Sequence, residues 1–203
     1  MRTTKIIGIF FLCIFFSNAW AQHGGVGLKI SNPYYQFDTH PGYKKIMNSL
    51  YLSLRISQNM TIFIDSYLFR DEGDAFDTGL SNQPIPGSSF SDKATVIGPM
   101  YYYNPDFSGL IPYFGLGFGW HSLLIGDKEL NPKESSKNYG GHAVLGVSYD
   151  LKKIPVVAFV EGRYARIFLS DEDADPKFIP SALHQGGSIQ ITSLAFGFLI
   201  YFF

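Results

Sequence analysis

Hydrophobic and polar residues alternate with a period of two along several stretches of this chain, as they do in half-buried β-strands. In the stretch at 48–57, four apolar side chains share one face: Leu50, Leu52, Leu54 and Ile56. The opposite face holds the residues between them: Ser49, Tyr51, Ser53 and Arg55. The pattern predicts eight strands, at 23–31, 48–57, 60–70, 93–104, 111–125, 139–150, 156–169 and 187–203.

The connections between these strands alternate in length along the whole chain. Those at 57–59, 104–109 and 152–155 are short, whereas those at 32–47, 71–92, 126–138 and 170–186 are longer. If consecutive strands are antiparallel neighbours, every long connection lies at one end and every short one at the other. Outer-membrane barrels have this layout, with long loops outside the cell and short turns in the periplasm. We therefore predict an all-β fold, an eight-stranded antiparallel up-and-down transmembrane β-barrel.

The first 21 residues have the three parts of a secretory signal peptide. Arg2 and Lys5 supply the positive start, an apolar run covers 6–16, and Ala19 and Ala21 stand where a signal peptidase cuts. The apolar run is shorter than the roughly 20 residues that a membrane-spanning helix needs. We expect a cleaved signal at 1–21 and one barrel domain at 22–203. An uncleaved N-terminal anchor is the alternative.

The composition of the remaining chain narrows its chemistry. Cys13 is the only cysteine and lies within the predicted signal, which excludes disulfides, thiolate catalysis and cysteine-bound metals from the mature chain. Losing Arg2 and Lys5 lowers the 16 basic residues to 14 against 17 acidic ones, a net charge of −3, so nucleic acid is not an expected partner. No apolar stretch for a spanning helix remains, so a mature membrane protein must be a barrel. We expect no cofactor and no metal.

Tyrosines cluster at the strand ends that adjoin the short connections. Tyr101 and Tyr103 lead into one short turn, Tyr113 follows it, and Tyr149 leads into the next. Aromatic residues form girdles where a barrel crosses the membrane interface. We interpret these four as a periplasmic aromatic girdle. The alternative is packing in the core of a soluble β-protein.

The charged residues inside the predicted strands include Arg55, Asp65, Glu161 and Arg163. On the lipid face an Arg would cost about 2–4 kcal/mol at the membrane midplane. Glu161 and Arg163 are two residues apart and share a face. We predict that all four point inward and form an ion-pair network that fills the lumen. A proton or ion pathway is the alternative.

The C-terminal strand resembles the terminal signature of outer-membrane barrel proteins, in which a final Phe follows apolar or aromatic residues at alternate positions. The matching residues are Ala195, Gly197, Leu199, Tyr201 and Phe203. The segment at 112–119 looks like the fifth strand of OmpA/OmpX-type barrels, and the segment at 159–164 looks like their seventh. This resemblance implies the family of small eight-stranded outer-membrane β-barrels. It also implies insertion by the barrel-assembly machinery and contact with outer-membrane lipid and lipopolysaccharide.

Catalytic chemistry is only weakly indicated. A lipid A deacylase of this size has a His-x-Ser pair on one strand, so that both side chains share a face. Here His121 and Ser122 are adjacent and point to opposite faces, which prevents that histidine from activating that serine. A histidine from a neighbouring strand could still reach Ser148 or another serine.

Taken together, these features predict an integral outer-membrane protein of a Gram-negative bacterium with a structural or surface-interaction role, not an enzyme. Eight strands enclose an interior that side chains can fill, which disfavours an open channel. The long loops could bind an extracellular ligand. Three alternatives stay open: a lipid-modifying enzyme of the outer membrane, a narrow pore, and a soluble periplasmic lipocalin-like carrier, which would turn its apolar face inward.

Overall fold

The computed structural model describes residues 24–37, 43–71, 88–103, 109–127, 136–151, 154–169 and 188–202. Its regular structure consists of nine strand segments: β1 (Gly24–Phe37), β2 (Tyr43–Lys44), β3 (Met47–Arg55), β4 (Met60–Asp71), β5 (Ser88–Tyr102), β6 (Leu110–Asp127), β7 (Ser136–Asp150), β8 (Val156–Phe168) and β9 (Ser188–Phe202). None of these described residues forms a helix long and apolar enough to cross a membrane. The predicted signal at 1–21 lies outside the described residues.

The strand segments close into a barrel. Every pairing is antiparallel, and β1 pairs with β9 along its whole length, beginning with Gly24 opposite Phe202. β2 and β3 both pair with β1 in one continuous register, so they form a single barrel strand that is interrupted after Lys44. Pro33 of β1 faces this interruption and has no N–H to donate to it. The barrel therefore has eight strands, which confirms the predicted fold class.

The two ends of the barrel differ in their connections. The strand ends that flank the short connections, among them Arg55, Tyr102 and Asp150, lie at the same end as Gly24 and Phe202, which we call the turn end. The opposite strand ends, among them Phe37, Asp71 and Asp127, define the other end of the barrel, which we call the loop end. Two strands extend well beyond their predicted bounds at the loop end: β1 continues to Phe37 instead of 31, and β5 begins at Ser88 instead of 93.

The outer and inner faces of the barrel have opposite polarity. Large apolar side chains point outward and are exposed on all eight barrel strands, among them Leu28, Leu52, Leu68, Ile97, Phe114, Leu145, Val160 and Phe198. On β6 this belt runs from Leu110 to Trp120, about 34 Å along the strand, or about 26 Å along the axis at a tilt of about 40°. Barrels in a bilayer need an apolar band of about 25 Å. A soluble lipocalin-like carrier would need the reverse polarity, and the structure argues against that alternative.

Candidate functional site in the barrel lumen

Four charged side chains meet in the lumen and form what we call the charged cluster: Lys29, Asp65, Glu161 and Arg163. Lys29 Nζ of β1 contacts Asp65 Oδ2 of β4 and lies 2.8 Å from Glu161 Oε1 of β8. Arg163 Nη2 pairs with the same Asp65 oxygen and lies 3.4 Å from Glu161 Oε1. Tyr113 donates to the second Glu161 oxygen at 3.1 Å. Two cations thus balance two anions, and all four side chains are buried.

Lys29 is the member of this cluster that sequence reasoning missed. It lies between Leu28 and Ile30, which are both exposed on the outer face, so it must point into the lumen. Gly25 and Gly27 precede it on the same inner face. This alternation can be read from the sequence and places Lys29 in the lumen. A buried cation there needs an anionic partner, which identifies Lys29 as a candidate member of the ion-pair network.

Arg55 does not join the charged cluster, and this part of the prediction is wrong. Its Nε donates to the Ser57 carbonyl at 3.2 Å and its Nη2 donates to the Gln58 carbonyl at 2.7 Å. Arg55 ends β3 six residues beyond Ser49, which lies opposite Lys29. That separation is about 20 Å along the strand, too far for an ion pair. Arg55 therefore closes the first short turn.

A second group of polar side chains forms what we call the histidine cluster: Tyr35, Tyr67, Asp92, His121 and His142. The two histidines meet through their Nε2 atoms at 3.0 Å, with ring planes 1° apart. His121 Nδ1 lies 3.1 Å from both oxygens of Asp92. Tyr35 and Tyr67 also donate to that carboxylate, at 2.9 and 3.4 Å. With both rings neutral, one arrangement fits: His121 donates through Nδ1 and accepts from His142 at Nε2.

Glycines on β6 and β7 make the space that the two imidazoles occupy. A Cβ atom on Gly119 would lie 2.5 Å from His142 Nε2 and 2.8 Å from His121 Nε2. A Cβ atom on Gly140 would lie 3.1 Å from His121 Nε2. The glycines of the 115–119 segment therefore serve packing within the lumen.

Among the described residues, the histidine cluster has neither a set of metal ligands nor a serine hydrogen-bonded to a histidine. Within the described ranges, no three His, Cys, Asp or Glu side chains are arranged to hold a metal ion. His121 points into the lumen whereas Ser122 points outward, as the alternation predicts. Ser148 donates to the Ile111 carbonyl at 3.3 Å and does not meet either histidine. These contacts give neither histidine a hydroxyl to activate.

Aromatic rings pack against the two polar clusters on both sides. Toward the loop end, the rings of Tyr35, Phe69 and Phe90 pack with centroids 4.6 to 5.8 Å apart. Toward the turn end, Tyr51 packs against Phe63 and Phe159 at 6.2 and 5.4 Å. The space left beside the charged cluster is about 10 Å³, at the lower limit for one water molecule. The described lumen is therefore filled across its middle.

A larger cavity opens at the turn end. It measures about 270 Å³, and its lining includes Arg55, Tyr102, Ser148 and Tyr201. This cavity lies beyond the Tyr51 layer, and the Tyr102 ring in its lining packs against Tyr113, with ring centroids 5.2 Å apart. It is a vestibule at one end of a filled barrel.

Three of the four predicted girdle tyrosines point outward near the turn end. Tyr101, Tyr103 and Tyr149 are all exposed on the outer face. Tyr113 is only 3% exposed and donates to Glu161 inside the lumen, so its assignment to the girdle is wrong. The reason is parity, because Tyr113 is in phase with the inward glycines of β6 and out of phase with Phe114.

The predicted C-terminal signature also faces inward. Ala195, Gly197, Leu199 and Tyr201 lie on the lumen side of β9, and Phe203 lies outside the described residues. The large side chains that face outward are the ones between them: Leu194, Phe196, Phe198, Ile200 and Phe202. Recognition of either set by the assembly machinery stays a prediction.

Solved structures with the same architecture match nearly the whole chain. Neisserial surface protein A is 14% identical, with a TM-score of 0.64 over 87% of this chain and 96% of its own. OprG from Pseudomonas aeruginosa is 12% identical, with a TM-score of 0.54 over 88% and 95%. Ail from Yersinia pestis is 11% identical, with a TM-score of 0.53 over 89% and 98%. No protein-family model and no curated protein matches the sequence. The chain has the closed eight-stranded fold of the small outer-membrane β-barrel proteins.

Proposed function

We propose that this chain is an integral outer-membrane protein of a Gram-negative bacterium whose filled barrel presents its loop-end connections at the cell surface. Its role is structural or surface-interacting, and it neither conducts nor catalyses. One observation supports this most: the cations of the charged cluster contact its carboxylates, His121 bridges Asp92 and His142, and both clusters lie between two layers of aromatic side chains. A lumen built in this way serves as a rigid support for what the ends of the barrel present.

The outward apolar belt supports the location in a membrane, and the fold shared with outer-membrane proteins supports the outer membrane in particular. Insertion by the barrel-assembly machinery, contact with lipopolysaccharide and binding of an extracellular ligand by the long connections belong to the same proposal. The filled lumen speaks against the narrow-pore alternative, and the outward Ser122 speaks against a hydrolase.

Conductance across a planar lipid bilayer tests whether the barrel is filled. We expect the folded chain to add no steady ohmic current over the bare bilayer, because paired charges and aromatic rings leave no continuous water path. A reproducible single-channel step from the purified protein would establish a pore and reject the filled support.

Trypsin treatment of intact cells tests which end faces outward. The sequence places Lys128, Lys133 and Lys177 in loop-end connections and Lys152 and Lys153 in the turn between β7 and β8. We expect cleavage at the first group and protection of the second until the cells are opened. Cleavage of Lys152 or Lys153 in intact cells would reverse the proposed orientation. Recovery of the chain in the soluble periplasm would reject the membrane location.

A further inference from the structure

Two lysines flank a serine on the outer wall of the barrel, toward the loop end. Lys93 of β5 pairs with Ser122 of β6, which in turn pairs with Lys137 of β7. All three side chains have the outward phase of their strands, and both lysines are exposed. Neighbouring strands are about 4.8 Å apart, so the two lysine Cα atoms are about 10 Å apart with the serine between them.

The row of side chains immediately nearer the turn end is aromatic. Trp120 of β6 pairs with Tyr139 of β7, and the two are 49% and 53% exposed. Phe118 packs against both, with ring centroids 5.2 Å from Trp120 and 5.6 Å from Tyr139. Trp and Tyr favour the interface between hydrocarbon and water. The lysine row lies about 7 Å further along the strands, at the level of lipid headgroups.

The charge of this row is uncompensated by its described surroundings. Among the described residues, no carboxylate forms an ion pair with the ammonium group of Lys93 or Lys137. The carboxylates of Asp65, Asp92 and Glu161 all point into the lumen. The outer wall therefore offers two free cations and a hydroxyl directly above an aromatic and apolar surface.

We propose that Lys93, Ser122 and Lys137 bind a phosphate group of a phosphorylated glycolipid in the outer leaflet. The two ammonium groups approach the phosphate from either side, and the Ser122 hydroxyl donates to it from below. The sugar to which the phosphate is attached lies against Trp120 and Tyr139, and the acyl chains continue along the apolar belt. This assignment rests on the proposed function, because it needs the loop end to face outward.

The mature chain contains its own reporter for this site. Of its two tryptophans, Trp20 lies in the predicted signal, so Trp120 is the only tryptophan after cleavage. We would fold residues 22–203 in zwitterionic detergent micelles and titrate with bisphosphorylated lipid A while recording tryptophan fluorescence. We expect a saturable change with lipid A and none with its dephosphorylated form. The double variant Lys93→Gln/Lys137→Gln should weaken half-saturation about 30-fold, the factor for losing two cation contacts at a membrane surface.

A matched control removes the same charge at the other end of the barrel. Lys152→Gln/Lys153→Gln in the β7–β8 turn should titrate like the unaltered chain. Equal binding of dephosphorylated lipid A, no weakening in the Lys93/Lys137 variant, or equal weakening in the control would each overturn the assignment. An equal response to phosphatidylglycerol would also overturn it, because the surface would then recognise any anionic lipid.

Failure here and failure of the proposed function are distinguishable. The titration takes place in micelles and does not depend on where the chain resides in the cell. Proteolysis of intact cells tests location and orientation without reference to phosphate. A positive titration with cleaved Lys152 or Lys153 in intact cells would keep the phosphate site and place it in the inner leaflet, which rejects the outer-leaflet glycolipid.

Discussion

The charged cluster and the histidine cluster occupy the same lumen, but the ions of the first come from other strands than the carboxylate and imidazoles of the second. The charged cluster joins β1, β4 and β8, which are separated by intervening strands, so its ion pairs cross the interior. In the histidine cluster, Asp92, His121 and His142 come from the consecutive strands β5, β6 and β7 and lie along one wall. The ion pairs of the charged cluster thus span the barrel, whereas the line of contacts from Asp92 through His121 to His142 follows its wall.

This difference has a consequence for stability. Lys29 belongs to β1, the strand that closes the barrel against β9, and its ion pairs tie that closing strand to β4 and β8. The charged cluster contains two cations and two carboxylates, so removing one side chain leaves a buried charge without its partner. In the histidine cluster several donors share the single carboxylate of Asp92, so we expect the loss of one hydrogen bond to cost less. Substitutions in each cluster can therefore measure the contribution of each to the free energy of unfolding.

The largest effect is expected from Lys29→Met. The variant removes the cation that contacts both Asp65 and Glu161 and leaves one arginine for two buried carboxylates. Breaking a buried pair by removing one partner costs about 3–5 kcal/mol. Urea unfolding in detergent micelles should show a loss of that size in the free energy of unfolding.

A compensating substitution sharpens this test. In Lys29→Met/Asp65→Asn the remaining pair, Arg163 with Glu161, is again balanced. We expect this double variant to be more stable than Lys29→Met alone. If it loses at least as much free energy of unfolding as the single variant, charge balance is not what the cluster contributes.

A smaller loss is expected from Asp92→Asn. The amide keeps an oxygen for Tyr35 and His121 but loses the charge that strengthens their hydrogen bonds. Hydrogen bonds to charged groups contribute about 1.5–3 kcal/mol, and part of this remains with a neutral acceptor, so the loss should be about 1–2 kcal/mol in the same unfolding measurement. A loss of free energy of unfolding equal to that of Lys29→Met would contradict the expected difference in stability between the two clusters.

The packing of the histidine pair can be tested with two glycines on the same wall. Gly119→Ala places a Cβ atom 2.5 Å from His142 Nε2 and should force the imidazoles apart, at a cost of about 1–3 kcal/mol. Gly141→Ala is the matched control, because its Cβ atom would meet nothing within 4 Å on the outer face. Thermal unfolding of the two variants should differ in midpoint, and equal midpoints would contradict a tightly packed pair.

The barrel could be predicted because its fold depends on a simple alternation. Period two decides which face a residue occupies, and alternating connection lengths decide which end a loop occupies. The same parity assigns Lys29 and Tyr113 to the lumen, although Tyr113 near a short turn resembled a girdle residue. Phase along the strand, and not nearness to a short turn, decides which face such a residue occupies.

The histidine cluster could not be predicted in the same way. His121 and His142 meet because Gly119 of β6 lies opposite Gly140 of β7 in the observed register. A change of two residues in that register would keep every side chain on its face and still separate the imidazoles by several ångströms. The sequence of one strand shows which face each of its residues occupies. The pairing register, and with it the position of a residue along the barrel axis, depends on all the strands together. Arg55 shows the same limit, since it has the inward phase but lies at the wrong height.

Arg55 also provides the smallest expected effect and the last check on the comparison. Its guanidinium binds the carbonyls of Ser57 and Gln58 at the partly exposed turn end and pairs with no carboxylate of the charged cluster. Arg55→Ala should therefore lower the free energy of unfolding by no more than about 1 kcal/mol, because exposed polar contacts contribute little. Combined with Lys29→Met, its effect should add to within about 0.5 kcal/mol, as for sites without shared partners. A larger coupling energy would mean that Arg55 interacts with the charged cluster, as the predicted ion-pair network requires.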